Sequence, residues 1–549
     1  VNFFEIPEAR VLERLQRRLG LQIIPGVFFT SAGIAALFVA LAVPFDDVVA
    51  DSFEQLTGWV ARNLGWFYIL SVSALLIFLL GLAFSRYGNI RLGADDSRPD
   101  YSNLTWFTML FAAGIGTILM FWGVAEPISH FAAPPFDVVQ PGSEQAASDA
   151  MTIALYHFGL HTWTIFAVPG LAIAYFSYRH NLPMRISSLF YPILGERAFG
   201  PWGWAVDVIA VLGTLFGVAT SLGLGTLQLN SGLNYLFDVP ATGLVQVILI
   251  TVITSIAAIS VALGLDKGVR RLSQLNIVLA MALLAFVFTA GPTVFIAEGM
   301  VQSLGGYIDA LPRLAFWTEP FKDTEWQRQW TLFYWAWTIS WSPYVGIFIA
   351  RISRGRTIRE FVAGVLLAPT AFTLVWFGIF GLSAIQGEMN GQTALAEQVQ
   401  QDPSVAIFAF LEGLPLSGMA SALSVIIIAI FFTTSSDSAS LVIDMLTRRD
   451  DQPSLVRQRI FWAVAQGAIA ATLLLAGGLD ALQNVITSLG LPFCLLLIFM
   501  AVALFRALRA DYRGYNMNEL VKGRAFPEVV AISETRQEND HVSETVDRH

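Results

Sequence analysis

The sequence predicts an all-α integral membrane protein with twelve transmembrane helices. Three observations carry that prediction. Of 549 residues, 55% are hydrophobic and 13% charged, about half the charge of a soluble chain. The apolar blocks run to about 20 residues or more, which suits helices rather than the ~10-residue alternating strands of an outer-membrane barrel. Arginines and lysines collect in every second loop, as the positive-inside rule demands of a multi-pass protein. Mean hydropathy is +0.62. The single cysteine, Cys494, excludes an intrachain disulfide and a multi-cysteine metal site, and a net charge of -9 gives no sign of nucleic-acid binding.

The spans are expected near 22–44, 64–84, 104–128, 150–177, 203–231, 241–264, 273–297, 329–350, 358–384, 416–444, 458–477 and 485–508. A cytoplasmic segment, 1–21, precedes them and holds Arg10, Arg14, Arg17 and Arg18. It is charged and amphipathic, and the first apolar block is long enough to span, so no cleaved signal peptide is expected. Arg86, Arg91 and Arg98 follow the second span, Arg179, Arg185 and Arg197 the fourth, and Lys267, Arg270 and Arg271 the sixth. Arg351, Arg354, Arg356 and Arg359 follow the eighth, and Arg448, Arg449, Arg457 and Arg459 the tenth. The alternate loops hold few basic residues, chiefly Arg62, Arg313 and Lys322. Both termini are therefore expected in the cytoplasm, in a bacterial-type inner membrane. Between spans seven and eight, 298–328 reads as an extracytoplasmic interfacial helix with Trp317 and Trp326, next to Trp330, at headgroup level. A second surface helix is expected through "DDVVADSFEQLTGWVARN". The tail, 509–549, is polar and of mixed charge.

Two spans contain weak helix material. "AAGIGTILMFWGVAEP" places Gly114 and Gly116 inside span three, and span eight has Ser342-Pro343 and Gly346 in mid-span. Irregular backbone at membrane depth is tolerated where protein or a water-filled cavity satisfies it, and in secondary transporters such breaks recur in inverted repeats and bind ion and substrate. The spacing divides the core into two five-helix repeats, spans 3–7 (104–297) and 8–12 (329–508), with two peripheral helices in 22–103. Taken alone, the glycines also suit close helix packing; the second break five spans later favours a binding site.

Span ten carries "FFTTSSDSAS". Phe431, Thr434 and Ser435 share a helix face, and two hydroxyls with a main-chain carbonyl are hard ligands for a small cation. Lone hydroxyls also bond back to their own helix, but five hydroxyls beside Asp437 favour an ion site. Glu126, Asp207, His157 and His161 are further ionisable groups at or near membrane depth. Glu126 reads as a loop anchor, and the two histidines, four apart on span four, as a proton relay or as structural groups. Aromatic side chains crowd span eight at Trp335, Trp337 and Trp341 and span four at Phe158, Trp163 and Phe166. Such faces attract quaternary ammonium through the ring quadrupole, although aromatics in membranes also serve packing.

"GIGTILMFWGVAEP", "FYWAWTISWSPYVGIFIARISRGRTIREF" and "FFTTSSDSAS" together resemble the betaine/carnitine/choline transporter (BCCT) family, in order and at the expected spacing over nearly the whole chain. The resemblance implies a LeuT-type fold, a homotrimer, and a sodium-coupled member of the glycine-betaine type. It places one sodium on the main-chain oxygens of Ala112, Ile115 and Phe431 and the hydroxyls of Thr434 and Ser435. A second sodium position matches the family at Thr214 and Tyr344 but has Val218 where a threonine is expected. No arginine stands between Asp207 and Gln228 to replace an ion. The implied substrate box is Phe158, Trp163, Phe166, Trp337, Thr338 and Trp341, with Gly114, Gly116 and Thr117 of the broken span. It is less aromatic than the family's pattern, so ectoine, taurine or a sulfonium analogue competes with a methylated ammonium as substrate. The non-basic tail does not imply osmotic activation. No cofactor beyond the coupling sodium is expected. Proton coupling or choline/carnitine exchange is the rival mechanism, through His157, His161 and Asp437. A membrane enzyme using Ser435 or Ser438 with Asp437 and a histidine lacks any supporting motif.

Overall fold

The computed structural model describes residues 7–114, 116–263, 266–322, 326–448 and 454–515. Among these the fold is helical, with one isolated β-bridge between Arg91 and Thr357 and no strand. An amphipathic helix α1 (Pro7–Leu19) leads into α2 (Pro25–Ala42) and α3 (Asp46–Phe84). Then come α4 (Asn103–Gly114), α5 (Thr117–Ala132), α6 (Glu144–Phe158) and α7 (Leu160–Ala174), the last followed by a π-turn to Arg179. A short α8 (Tyr191–Leu194) precedes α9 (Pro201–Phe237), α10 (Gly243–Leu263), α11 (Asp266–Ala290) and α12 (Thr293–Leu314). The second half holds α13 (Phe333–Ile352), α14 (Ile358–Met389), α15 (Leu395–Gln401), α16 (Ala406–Glu412), α17 (Ser417–Thr447) and α18 (Val456–Tyr512). Nine helical stretches among the described residues are long and apolar enough to cross a membrane.

Burial separates centre from rim. The α6–α7 stretch is 94% buried and α9 83%, whereas α10 is 22% buried and turns Leu244, Ile248, Val252, Ile256 and Ile259 outward. An exposed aliphatic stripe on so apolar a helix is a lipid-facing surface. At the centre α13 packs against α7, α9 and α18. Small residues allow that crowding. A Cβ on Gly346 would stand 3.1 Å from the Gly170 nitrogen, and one on Gly490 2.8 Å from the Ala336 carbonyl oxygen.

The structure corrects three details of the sequence reading. The surface helix expected over 46–63 is continuous with span two in the 39-residue α3, with no proline to interrupt it. The helix expected over 298–328 begins earlier, at Thr293, and ends at Leu314. The break expected at Ser342-Pro343 and Gly346 is absent: α13 is helical through all three. Pro343 offers no N–H to the Ile339 carbonyl four residues back, but the Ser342 hydroxyl donates to that oxygen at 2.8 Å. The proline is therefore accommodated by its neighbour. Spans eleven and twelve join in α18 only across Gly477 and Gly478, which are not helical; Gly478 has φ 59°.

The arginine-rich loops also hold the fold together. Leu92 N–H donates to the Arg356 carbonyl at 2.8 Å. The Arg356 guanidinium lies 3.8 Å from the Trp106 ring centroid and donates to Asn103 Oδ1 at 2.8 Å, so one cation–π contact and one hydrogen bond dock the loop on α4. At the start of α14, Thr357 and Glu360 form a reciprocal capping box. Nearby, burial lowers the His180 pKa to about 4, so this ring is neutral at pH 7.

Candidate functional site

Span three is broken where the two glycines fall. α4 ends at Gly114, α5 begins at Thr117, and Gly116 between them is extended at φ -133°, ψ -172°. Among the described residues nothing lies within 4 Å of where a Cβ on Gly116 would stand. The first turns of α5 are held from both sides. Trp376 Nε1 of α14 donates to the Leu119 carbonyl at 3.0 Å, and Gln228 Nε2 of α9 donates to the Met120 carbonyl at 2.7 Å. Ile115 lies outside the described residues, as do the side chains of Ala112, Gly114 and Thr117.

The aromatic residues of the expected box fall into two groups on α13. One is a row of Trp163, Phe166, Trp341 and Tyr344, with ring centroids 5.5, 6.0 and 5.6 Å apart in turn. Trp341 and Tyr344 are only half-buried. The other group gathers Phe158 and Trp337 around Phe333 and Tyr334. Phe158 lies 4.8 Å from Tyr334 and stacks on Phe377 at 5.0 Å, and Trp337 stacks on Phe333 at 5.5 Å. The Trp337 indole N–H is already committed to α9, at 3.1 Å from the Gly217 carbonyl and 3.2 Å from Ser221 Oγ. Thr338, buried between the groups, donates its hydroxyl back to the Tyr334 and Trp335 carbonyls.

On α17 the Thr434 hydroxyl donates to the Ile430 carbonyl at 2.9 Å and lies 3.2 Å from the Phe431 carbonyl. A hydroxyl whose proton points along its own helix keeps lone pairs free for a cation or donor. Ser435 is half-buried beside it. α17 touches α5, across the break from which Ala112 and Ile115 would contribute. The neighbouring polar groups have structural partners. Ser436 bonds Gln466 at 2.9 Å, and Asp437 Oδ1 lies 3.4 Å from Arg459 Nη2. Thr214 donates to the Ala210 carbonyl at 2.8 Å on α9. Asp207 is paired too, accepting from the Ser187 N–H and hydroxyl at 2.9 and 2.8 Å.

A second broken span was missed from sequence. Gly159, at φ -95°, ψ -134°, separates α6 from α7. The Tyr307 hydroxyl of α12 accepts from Leu160 N–H at 3.0 Å, Thr373 of α14 donates to the Phe158 carbonyl at 3.1 Å, and Thr162 donates to the His157 carbonyl. His157 and His161 therefore do not share one helix face. His157 Nδ1 lies 2.6 Å from Glu126 Oε1 and its Nε2 2.9 Å from Thr331 Oγ1. His161 stacks on Trp335 at 5.6 Å. Glu126 is fully buried and bonds this side chain rather than anchoring a loop.

Above these groups, at the loop end away from the arginine-rich loops, a cavity of about 930 Å³ opens. Phe121, Trp122, Trp326 and Trp330 line it together with Glu54, Asp402, Asp480 and Arg328. Aromatic faces and carboxylates are the two surfaces that attract an organic cation.

The sequence from residue 26 to 513 matches the model of the betaine/carnitine/choline (BCCT) family transporters. The chain belongs to the betaine/carnitine/choline transporter family. Similar members include the glycine betaine transporter of Acinetobacter baylyi, 46% identical over 92% of this chain and 76% of that one. The ectoine/glycine betaine/proline transporter EctP of Corynebacterium glutamicum is 44% identical over 90% of this chain and 82% of its own. The high-affinity choline transport protein of Escherichia coli K12 is 41% identical over 90% and 74%. A BCCT-family chain is a multi-pass membrane transporter of small molecules and not an enzyme.

Proposed function

We propose that the protein is a sodium-coupled symporter of glycine betaine or a related quaternary ammonium or compatible solute, working by alternating access. The observation that carries this reading is the open break at Gly116, bordered by α17 and lying in the same core as the aromatic row Trp163–Phe166–Trp341–Tyr344. Amides freed at a half-helix N-terminus suit a carboxylate or sulfonate, and a half-buried indole suits a trimethylammonium group. The substrates named for the three relatives are betaine, choline, ectoine and proline, and each carries a cationic nitrogen or amidinium. Sodium is proposed on the main-chain oxygens of Ala112, Ile115 and Phe431 with Thr434 and Ser435, and Thr214 and Tyr344 as a second, weaker position.

The architecture proposed for this mechanism has twelve crossings. They are α2, α3, the broken pair α4–α5, the broken pair α6–α7, α9, α10, α11, α13, α14, α17 and the two arms of α18. Spans three to seven and eight to twelve form the inverted repeats of a LeuT-type core. The chain is proposed as a homotrimer in the inner membrane, with both termini cytoplasmic on the arginine distribution.

The test is uptake of labelled glycine betaine into proteoliposomes with and without an inward sodium gradient, with choline, carnitine, ectoine and taurine as competitors. Sodium-driven uptake is expected to fall about tenfold in Trp341→Ala, the size of one buried cation–π contact, and to lose its sodium dependence in Thr434→Ala. Uptake indifferent to sodium overturns the coupling and favours proton coupling or exchange. Failure of betaine with success of ectoine or taurine moves the substrate to a non-quaternary zwitterion.

A further inference from the structure

Glu126, His130 and His157 form a buried cluster that the substrate and sodium sites do not use. Glu126 and His130 lie one turn apart on α5, and His157 is in the last turn of α6. Helical geometry puts residues i and i+4 on one face, so α5 presents a carboxylate and an imidazole together to α6. One ligand atom from each of the three residues lies within 4.8 Å of the other two. His157 Nδ1 is 2.6 Å and His130 Nε2 3.4 Å from the same oxygen, Glu126 Oε1. All three side chains are at most 1% exposed.

Much of the polar capacity of the cluster is unfilled. Both ring nitrogens of His130 and the second carboxylate oxygen, Glu126 Oε2, make no hydrogen bond of normal geometry. Tyr334 faces the same carboxylate, but its hydroxyl is also without such a bond. Buried polar atoms left this way are expensive, and their concentration at one point needs an occupant. His157, by contrast, is oriented from behind. With Nδ1 turned to the cluster, its Nε2 lies 2.9 Å from Thr331 Oγ1, placed to donate there once Nδ1 takes a metal. A fixed outer hydrogen bond of this kind sets the tautomer of a metal-bound imidazole. His130 also lines the 930 Å³ cavity with Trp326 and Trp330, and Glu54, Asp402, Asp480 and Arg328 line it too. Three carboxylates against one guanidinium leave this approach net acidic, which favours cations.

We propose that Glu126, His130 and His157 bind one divalent transition-metal ion of the zinc class. Two imidazoles and one carboxylate are a borderline donor set that suits Zn²⁺ and neighbouring first-row ions, with a fourth position left for water from the cavity. Sodium, magnesium and calcium require oxygen-rich sites, so this site is chemically separate from the proposed sodium position on α17. Its occupant joins the second half of one broken span, α5, to the first half of the other, α6. The ion acts as a staple at the cavity end of the two breaks.

The experiment uses the full chain, purified in detergent with any polyhistidine tag removed and stripped of metal with a chelator. Cobalt(II) is titrated in and read by its ligand-field absorption, then displaced with Zn²⁺. The expected result is one Co²⁺ per chain with the intense visible bands of four-coordinate cobalt, abolished by one equivalent of Zn²⁺. His130→Gln removes a ligand held only by a long 3.4 Å contact to Glu126 Oε1, so it should melt close to the parent without metal while binding at least tenfold more weakly. Zn²⁺ should raise the melting temperature of the parent, since an ion that binds only the folded state stabilises it, and leave that of His130→Gln unchanged. Absence of stoichiometric cobalt binding in the parent overturns the proposal, as does binding of equal strength in His130→Gln. Should that variant fail to fold, the parent titration and Glu126→Gln decide the matter. None of these readouts involves transport, so failure here and failure of the transport reading are separate results.

Discussion

The two broken spans solve one physical problem in opposite ways. At Gly159 the protein fills the break. A Cβ there would stand 2.4 Å from the Leu155 carbonyl oxygen and 2.7 Å from Tyr307 Oη, and Tyr307, Thr373 and Thr162 take up the freed amide and carbonyls. At Gly116 the backbone is extended and a Cβ would meet nothing described within 4 Å. Irregular backbone survives in a membrane only when something satisfies it. A break already satisfied by side chains is architecture, and one that faces open space is available to a ligand. The comparison thus assigns different roles to two features that share the same residue type.

The largest effect expected from this contrast is at Gly159. Gly159→Ala sets a methyl against the Leu155 carbonyl oxygen and the Tyr307 hydroxyl. A loss of roughly 1–3 kcal/mol is expected from overpacking, read as a large drop in melting temperature or in the yield of folded protein. An alanine tolerated there would show that the break is not filled as described.

Tyr307→Phe sharpens the same point with less disruption. It keeps the ring and removes the acceptor of the Leu160 N–H. An unpaired buried amide costs about 1–3 kcal/mol. Thermal melting should register the loss, and Thr373→Val, which removes the donor to the Phe158 carbonyl, should add to it.

These partners explain what the sequence could and could not disclose. The apolar runs are local, so most spans were legible, and so was the break at Gly116, because two glycines one residue apart leave a local mark. The break at Gly159 leaves a single glycine, and its partners lie 147 and 215 positions away in the chain. Nothing near Gly159 announces them. The opposite error occurred at Pro343, where a proline suggested a break that the adjacent Ser342 hydroxyl repairs. Glu126 looked like a loop anchor for a similar reason: its partner His157 is 31 positions away, and only packing of α5 on α6 brings them together. The aromatic residues were legible as a set, but their division into two groups depends on how α13 is rotated against α7 and α9.

Ser342→Ala tests the repaired proline. It leaves the Ile339 carbonyl with neither the amide that Pro343 lacks nor the hydroxyl that replaces it. A loss of about 1 kcal/mol is expected, small beside Gly159→Ala. Ser342→Thr restores a hydroxyl in the same place and should recover most of it. A Ser342→Ala variant as stable as the parent would mean that another group satisfies the carbonyl.

The smallest effect on stability, and the most telling for function, is expected at Gly116. Its φ of -133° is open to any residue, and the neighbouring space is free among the described residues. Gly116→Ala should therefore fold with a stability within about 0.5 kcal/mol of the parent, the range of substitutions that meet nothing. A methyl group standing in the space proposed for substrate should nevertheless lower uptake severalfold, through apparent affinity. Gly159→Ala, corrected for the amount of folded protein, should leave the affinity of the surviving molecules nearly unchanged. If instead Gly116→Ala is destabilising and transports normally, the open break is architecture too, and the binding site must be sought along the Trp163–Tyr344 row alone.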